Sequence, residues 1–291
     1  MSQSSDQTEP SIQLFVHSIT TIDSSYLDAD RGLVGETWDV DCLLSGSPDS
    51  SGMLMDFALI KKVLKAEIDL AVDHCLLIPI KDPRLKMLSD THIQYQLSPS
   101  ELIDYQAPAH TIHPINATQI ELSSLGAHLE QLLKPHVSPN IHQIQITLRT
   151  QSEQPYYRYS HGLQNHQGNC QRMAHGHRSK IRAYQNGLRA THIEAQIAES
   201  FKDIFIATRS HLIENSAQIP AEHLTFAYQS TQGKFQLTLP QSKVYLLDGH
   251  TTVEHIATHL SQKYAALHPG QLIEIHAYEG LSKGAISSWV C

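Results

Sequence analysis

The patterning of the chain predicts an α+β fold made from a repeated unit, and three observations carry that reading. The order strand, strand, helix, helix, strand is met twice along the 291 residues. The strand segments alternate apolar and polar residues with period two, most strictly at residues 143–150 (QIQITLRT). The helical segments place apolar residues three and four apart.

Taken in order, residues 1–12 are polar and read as a disordered lead-in. Residues 13–21 (QLFVHSITT) and 37–44 (TWDVDCLL) have the β-branched content or alternation of strands. After a Gly/Pro/Ser turn, Asp56 is placed to cap a helix over residues 57–71, with Ile60, Leu64 and Ile68 on one face. Residues 81–117 are punctuated by proline, with one strand expected at 91–97. A second helix is expected over 124–134, closed by Pro135. The second pass begins with strands at 156–163 and 175–184. A helix follows over 193–207, carrying Ile193, Ile197, Phe201 and Ile204. Strands at 224–228, 235–239 and 244–247, a helix from Thr252 to Tyr264 and a strand at 272–278 complete it. The division expected is therefore 1–12, 13–151 and 152–291.

Composition excludes several classes. Hydrophobic residues make up 41% and charged residues 17%, enough apolar content for a packed core. The formal charge is −8 and no Lys/Arg run is present, which argues against nucleic acid and anionic membranes as partners. No apolar run is long enough to span a bilayer, and the N-terminus has no signal-peptide pattern. Four cysteines without C-x-x-C spacing suit a reduced, cytoplasmic setting.

The chemistry concentrates in residues 157–177. On a strand, His175 and His177 point to one face, and His161 on a neighbouring strand would complete three neutral nitrogen ligands. That is a catalytic zinc set with one position open. Cys170 nearby is a candidate thiolate, with a closed Cys-His₃ structural site as the competing reading. With 20 histidines in the chain, ordinary strand histidines are the competing reading for the pair itself.

In order, the text GMLMDFALIKK, VDHCLLIP, CQRMAHGH, TTVEHIATHL and IHAYEG resembles the 6-pyruvoyl- and 6-carboxytetrahydropterin synthases. The resemblance implies a tunnelling fold (T-fold) in tandem form: two units, each an antiparallel four-stranded sheet with two helices on one face. Copies would associate into a closed β-barrel, so a homo-oligomer is expected. It implies Zn2+ on His161, His175 and His177, with Cys170, Asp73 and His74 catalytic. Glu254 and Glu279 would hold the pterin, since a carboxylate accepts bidentate hydrogen bonds from amino and ring N–H donors. The motifs divide between the halves. The second keeps the histidines, the thiol and the glutamates, while the first keeps Asp73-His74, as though one site drew on both. Matching the halves by sequence sets His17 against His161, Val34-Gly35-Glu36 against His175-Gly176-His177, Ser210-His211 against Asp73-His74, and Arg149 against Glu279.

The substrate the resemblance implies is 7,8-dihydroneopterin triphosphate. Zinc would acidify its side-chain hydroxyls, Cys170 would remove a proton, and His74, oriented by Asp73, would shuttle one on the opposite face. Loss of triphosphate and acetaldehyde would give 6-carboxytetrahydropterin, as in queuosine biosynthesis. The pyruvoyl-type synthase, a dihydroneopterin-type aldolase and a non-catalytic pterin-binding scaffold are the alternatives.

Overall fold

The computed structural model describes residues 12–216 and 219–291. The expected lead-in lies outside the described residues, except for Ile12, which opens the first strand.

Two long strands, β1 (Ile12–Asp28) and β2 (Gly32–Gly46), begin the chain. Next come α1 (Phe57–Ala71), β3 (Leu76–Pro79), β4 (Leu85–Ser89), β5 (His92–Ser98), β6 (Glu101–Gln106), β7 (Ile112–Ile115), α2 (Leu122–Leu133) and β8 (Ile141–Arg149). The second pass runs β9 (Tyr156–His161), β10 (His175–Gln185), β11 (Leu188–Arg189), α3 (Thr191–Ser200), β12 (Lys202–Thr208) and β13 (Leu212–Ile213). It continues with β14 (His223–Ser230), β15 (Gly233–Pro240), β16 (Val244–Leu247), α4 (Val253–Leu267), β17 (Ile273–Glu279) and β18 (Lys283–Trp289).

These strands form three sheets. The first has the order β7-β3-β1-β2-β8 and the second β16-β12-β9-β10-β17-β18, with β11 paired to β10. The two orders correspond strand for strand until β18 extends the second. Each sheet carries its two helices on one face. Asp56 caps α1 by accepting from the backbone N–H groups of Ala58 and Leu59 at 2.7 and 3.3 Å. Its stripe of Ile60, Leu64 and Ile68 then shares a core with Leu125, Leu129 and Leu133 of α2 and with β1, β2 and β8. In the second half Ile193, Ile197, Ile256 and Leu260 pack in the same way on Tyr157, Tyr159, Ile181 and Ile275.

Three expectations are corrected. The sheets are not four-stranded and antiparallel: β3 and β7 join the first sheet in parallel, as do β12 and β16 in the second. Residues 81–117 hold four strands rather than one. Of these, β4, β5 and β6 join β13, β14 and β15 in a third sheet that bridges the halves through β6 and β15. The helix expected over 193–207 stops at Ser200. The apolar spacing of Ile193, Ile197, Phe201 and Ile204 runs through the boundary, but Asp203 takes φ +53° and residues 204–207 pair as a strand.

The first and second sheets meet at a point where no side chain fits. Ser25 pairs with Gly35 and Ser160 with Gly176, so the same Ser–Gly pair occurs once in each sheet. The two serine hydroxyls hydrogen-bond to each other at 2.7 Å. A Cβ on Gly35 would strike the Tyr159 carbonyl, and one on Gly176 would strike the Gly35 Cα. Gly176→Ala is expected to cost about 3 kcal/mol, the upper range for overpacking a rigid site, against about 1 kcal/mol for loss of one buried hydrogen bond in Ser160→Ala. Urea denaturation measures both, and equal costs would show that the glycine contact is not tight.

Packing of β7 on α2 brings His113 Nε2 within 2.8 Å of His128 Nε2. Burial lowers both imidazoles, and the His128 charge adds to the effect on His113, which falls from 6.5 to about 4. A folded value below the unfolded one means protonation favours unfolding. This contribution is intact above 6.5 and is lost as pH falls toward 4. In His113→Gln the fall in stability between pH 7 and 4 should be shallower by equilibrium denaturation, and an unchanged slope would contradict the assignment.

Candidate active site

The hairpin β9–β10 sets His161 directly opposite His175, and His177 opposite Tyr159. Period-two pleating then turns His175 and His177 to the face that holds His161. One ring nitrogen of each of the three lies within 4.8 Å of the others, and all three side chains are buried. Their outer nitrogens are already engaged or oriented. His161 Nδ1 donates to the Thr251 carbonyl at 2.9 Å and His175 Nδ1 to the Arg172 carbonyl at 2.7 Å. Asp23 Oδ1 stands 3.2 Å from His177 Nδ1, at an angle outside hydrogen-bonding range. The Nε2 atoms of His161 and His177 are buried with no hydrogen-bond partner. Burial drives His161 down to about 3, with the His177 charge second, and also holds His175 well below its ordinary value, so both are neutral donors. Three buried imidazoles in one cluster, two of them with Nδ1–H held by a carbonyl, fit a metal ion with N₃ ligation.

Asp73 and His74 follow α1 and turn back toward this cluster. His74 adopts φ +56° and its N–H donates to the Asp23 carbonyl at 3.0 Å, while Asp73 Oδ1 accepts from the Asp23 N–H at 2.8 Å. The His74 ring is thereby aimed at the second half. Its Nδ1 bonds Asp73 Oδ2 at 2.6 Å, and its Nε2 lies 3.4 Å from Cys170 Sγ. Burial opposes the imidazolium, but the Asp73 and Cys170 interactions outweigh it and raise His74 to about 10. Its ring lies 4.9 Å from that of His175, so the Asp73–His74–Cys170 chain abuts the imidazole cluster. Cys170 Sγ groups with His74 and His175 rather than with the complete three-histidine set.

The five-residue step from Cys170 to His175 does not prevent this reach, because the intervening loop is braced. Cys170 sits in a 3₁₀ turn (Gly168–Gln171) whose Gln171 carbonyl accepts from Tyr228 Oη at 2.7 Å. Gln232, in the β14–β15 turn, donates to the Gly168 carbonyl at 2.8 Å and accepts from Arg172 Nε at 3.0 Å. Arg172 Nη1 donates to the Asp73 carbonyl at 3.3 Å, tying the loop to the first half. Burial pushes the neighbouring Cys75 thiol up to about 11, which leaves it an un-ionised core group.

The two glutamates separate. Glu279, at the end of β17, is pulled below its ordinary range. Burial opposes that shift, and it is overcome by the facing His177 and by Lys283, bonded to it at 2.9 Å. Glu254 is exposed in the first turn of α4, with no hydrogen-bond partner among the described residues. Asp23, Arg172, Gln232 and Lys283 were not anticipated. No local pattern marks them, because each acts across sheets or halves.

Strand pairing also revises the match between halves. With Ser25–Gly35 set on Ser160–Gly176, the counterpart of His161 is Tyr26, not His17, which lies exposed beside Asp41. Ser25 beside Leu76 and Ser160 beside Phe205 put Asp203, not His211, in the place of His74, with the same left-handed backbone. Val40 beside Leu148 and Ile181 beside Ala277 put Thr150, not Arg149, opposite Glu279. Arg149 is instead bound to Asp39 and Asp41 at the surface.

Residues 17–158 match the family model for 6-pyruvoyl tetrahydropterin synthase. Among solved structures the chain is similar to 6-pyruvoyltetrahydropterin synthase of Plasmodium vivax, at 17% identity over 49% of this chain and 100% of that one, with a TM-score of 0.38. It is similar to the Plasmodium falciparum enzyme at 18% identity, over 48% and 99% of the two chains, with a TM-score of 0.34. An uncharacterized protein of Wolinella succinogenes matches at 17% identity, over 50% and 96%, with a TM-score of 0.31. No curated protein matches the chain. The matched segment contains Asp73-His74, while the three clustered imidazoles follow it in the second half. Over residues 17–158, just under half of its length, the chain is similar to the 6-pyruvoyl tetrahydropterin synthase family.

Proposed function

We propose that the chain is a zinc-dependent pterin synthase that converts 7,8-dihydroneopterin triphosphate to 6-carboxytetrahydropterin with loss of acetaldehyde and triphosphate, at one composite site per chain. The observation that carries this reading is the Asp73–His74–Cys170 hydrogen-bonded chain, which crosses the two halves and ends beside three buried imidazoles. A structural zinc site has no use for such a relay. Zinc on His161, His175 and His177 would supply Lewis-acid polarisation of the substrate's side-chain hydroxyls.

The rest of the work falls to the protein's own groups. Cys170 Sγ takes a proton from the side chain of the substrate, and the cationic His74 faces that sulfur with Nε2–H as a hydrogen-bond donor. The sequence reading set His74 on the opposite face from the thiol; at 3.4 Å the two are one relay. Asp73 fixes the His74 ring through Nδ1 and favours its cationic form. Glu279 is the pterin anchor we favour, a half-buried carboxylate held ionised beside the histidines. Glu254 can serve only where substrate extends to the mouth of the site.

Within this proposal the chain is a tandem T-fold with units 13–151 and 152–291, supported by the shared strand order and the repeated Ser–Gly pair. Sheet edges at β8 and β18 suit association of copies into a closed barrel, and Ile286 and Trp289 on β18 are exposed. No helix among the described residues is long and apolar enough to cross a membrane, and we assign the enzyme to the cytoplasm.

Zinc-loaded protein incubated with dihydroneopterin triphosphate should release acetaldehyde and 6-carboxytetrahydropterin. Triphosphate release without acetaldehyde would favour the pyruvoyl-type outcome, and no turnover with metal bound would sink the enzyme reading. Cys170→Ala should lower turnover by about 10³-fold, in the range for loss of a general base, yet keep zinc near one per chain by metal analysis. Loss of the zinc as well would make Cys170 a ligand.

A site within one chain also makes a mixing prediction. Asp73→Ala and Cys170→Ala chains, unfolded together and refolded so that subunits mix, should remain inactive. Recovered turnover would place the relay between chains.

A further inference from the structure

The position in the first half that corresponds to the imidazole cluster is not filled in. It opens as a cavity of about 400 Å³ between β1, β2, β9, β10 and the start of α2. Tyr26 stands there for His161, Val34 for His175 and Glu36 for His177, so the nitrogen ligand set is gone. The charges are exchanged as well. Where Asp23 of the first half faces His177, Arg158 of the second half faces Glu36, with Nε 2.8 Å from Oε2.

Arg178 enters the same cavity wall beside Glu36, with Nη1 3.8 Å from Oε2, and stacks on the Tyr156 ring at 3.6 Å. It is only 7% exposed, and its Nε has no hydrogen-bond partner. Two guanidiniums therefore share one carboxylate at the buried end, leaving surplus positive charge and an unused donor. Burial also holds the Glu36 carboxyl above its ordinary range despite Arg158 and Arg178, which weakens the one compensating charge. Arg31 lies on the wall too, but Asp28 takes its Nε and Nη2 at 3.1 and 2.9 Å. The other acids on the lining are engaged elsewhere or exposed, with Asp82 4.0 Å from Arg84 Nη1. Asp82 accepts from Tyr95 Oη at 2.6 Å, while Asp30 and Glu121 are exposed at the mouth, where water screens them. The N-terminal turn of α2 faces the same space and favours negative charge.

We propose that this cavity is a second ligand site, which binds the carboxylate or phosphate group of a small organic anion on Arg178 and Arg158. The guanidinium Nη groups supply the directional contact, and Tyr26 and Trp38 supply a flat apolar wall for the remainder. An anion here binds both halves at once, next to the Ser25–Ser160 contact and across the sheets from the relay.

Calorimetric titration of the full chain with inorganic phosphate and with benzoate, each to 10 mM, tests the site and separates the two oxyanions. At least one probe should bind, equally in zinc-loaded and zinc-stripped protein. Arg178→Lys, which keeps the charge and loses the planar fork, should weaken binding at least about tenfold. Glu36→Gln should tighten it by removing the competing carboxylate, with zinc content unchanged. Binding of neither probe to the wild-type chain overturns the proposal. So does binding that disappears with zinc, which would put the anion on the metal site, or binding indifferent to both substitutions.

Discussion

The structure hinges on the approach of Gly35 to Gly176 under the hydrogen bond from Ser25 to Ser160. Two sheets can lie this close only where neither presents a Cβ, and the distance it sets governs what can reach across. Asp23, one pair of residues from Ser25, comes level with His177; Arg158, two residues before Ser160, comes level with Glu36. Asp73 and His74 are hung on Asp23 by two backbone hydrogen bonds, so their aim at Cys170 follows from the same contact. Widening the approach by a methyl group would carry Asp73 and His74 together away from Cys170.

Much of the site was legible because it obeys short periods. His175 and His177 share a face by pleating, and His161 opposite them follows from a hairpin that the alternation around residues 156–184 already suggests. The helices α1, α2 and α4 were legible for the same reason, since each buries one regular stripe. Asp73-His74 was legible only as part of an ordered set of motifs.

What escaped has a common cause, contacts made at long range. Of the strands in residues 81–117 only β5 was legible; β6 borders β15 of the other half, a pairing no local pattern marks. The boundary between α3 and β12 is invisible to a helical pattern that continues past it; the left-handed turn at Asp203 and pairing with β9 set it. Matching the halves by residue similarity set His17 against His161, whereas strand register sets Tyr26 there. Similarity fails because the two cavities have been given different chemistry, and the backbone has kept what the side chains have not.

The third sheet has a consequence for how the molecule comes together. Its central pairing joins Gln106 to Gln236, far apart in sequence, and such long-range closure is entropically expensive and slow. The turn after β14 is also what braces the Cys170 loop through Gln232 and Tyr228. During synthesis the first half leaves the ribosome with one edge of β6 unpaired, and the thiol's loop gains its support only after β15 has docked on that edge. Placement of Cys170 beside His74 is thereby tied to the last topological step, so that a partly folded chain carries the imidazoles without it.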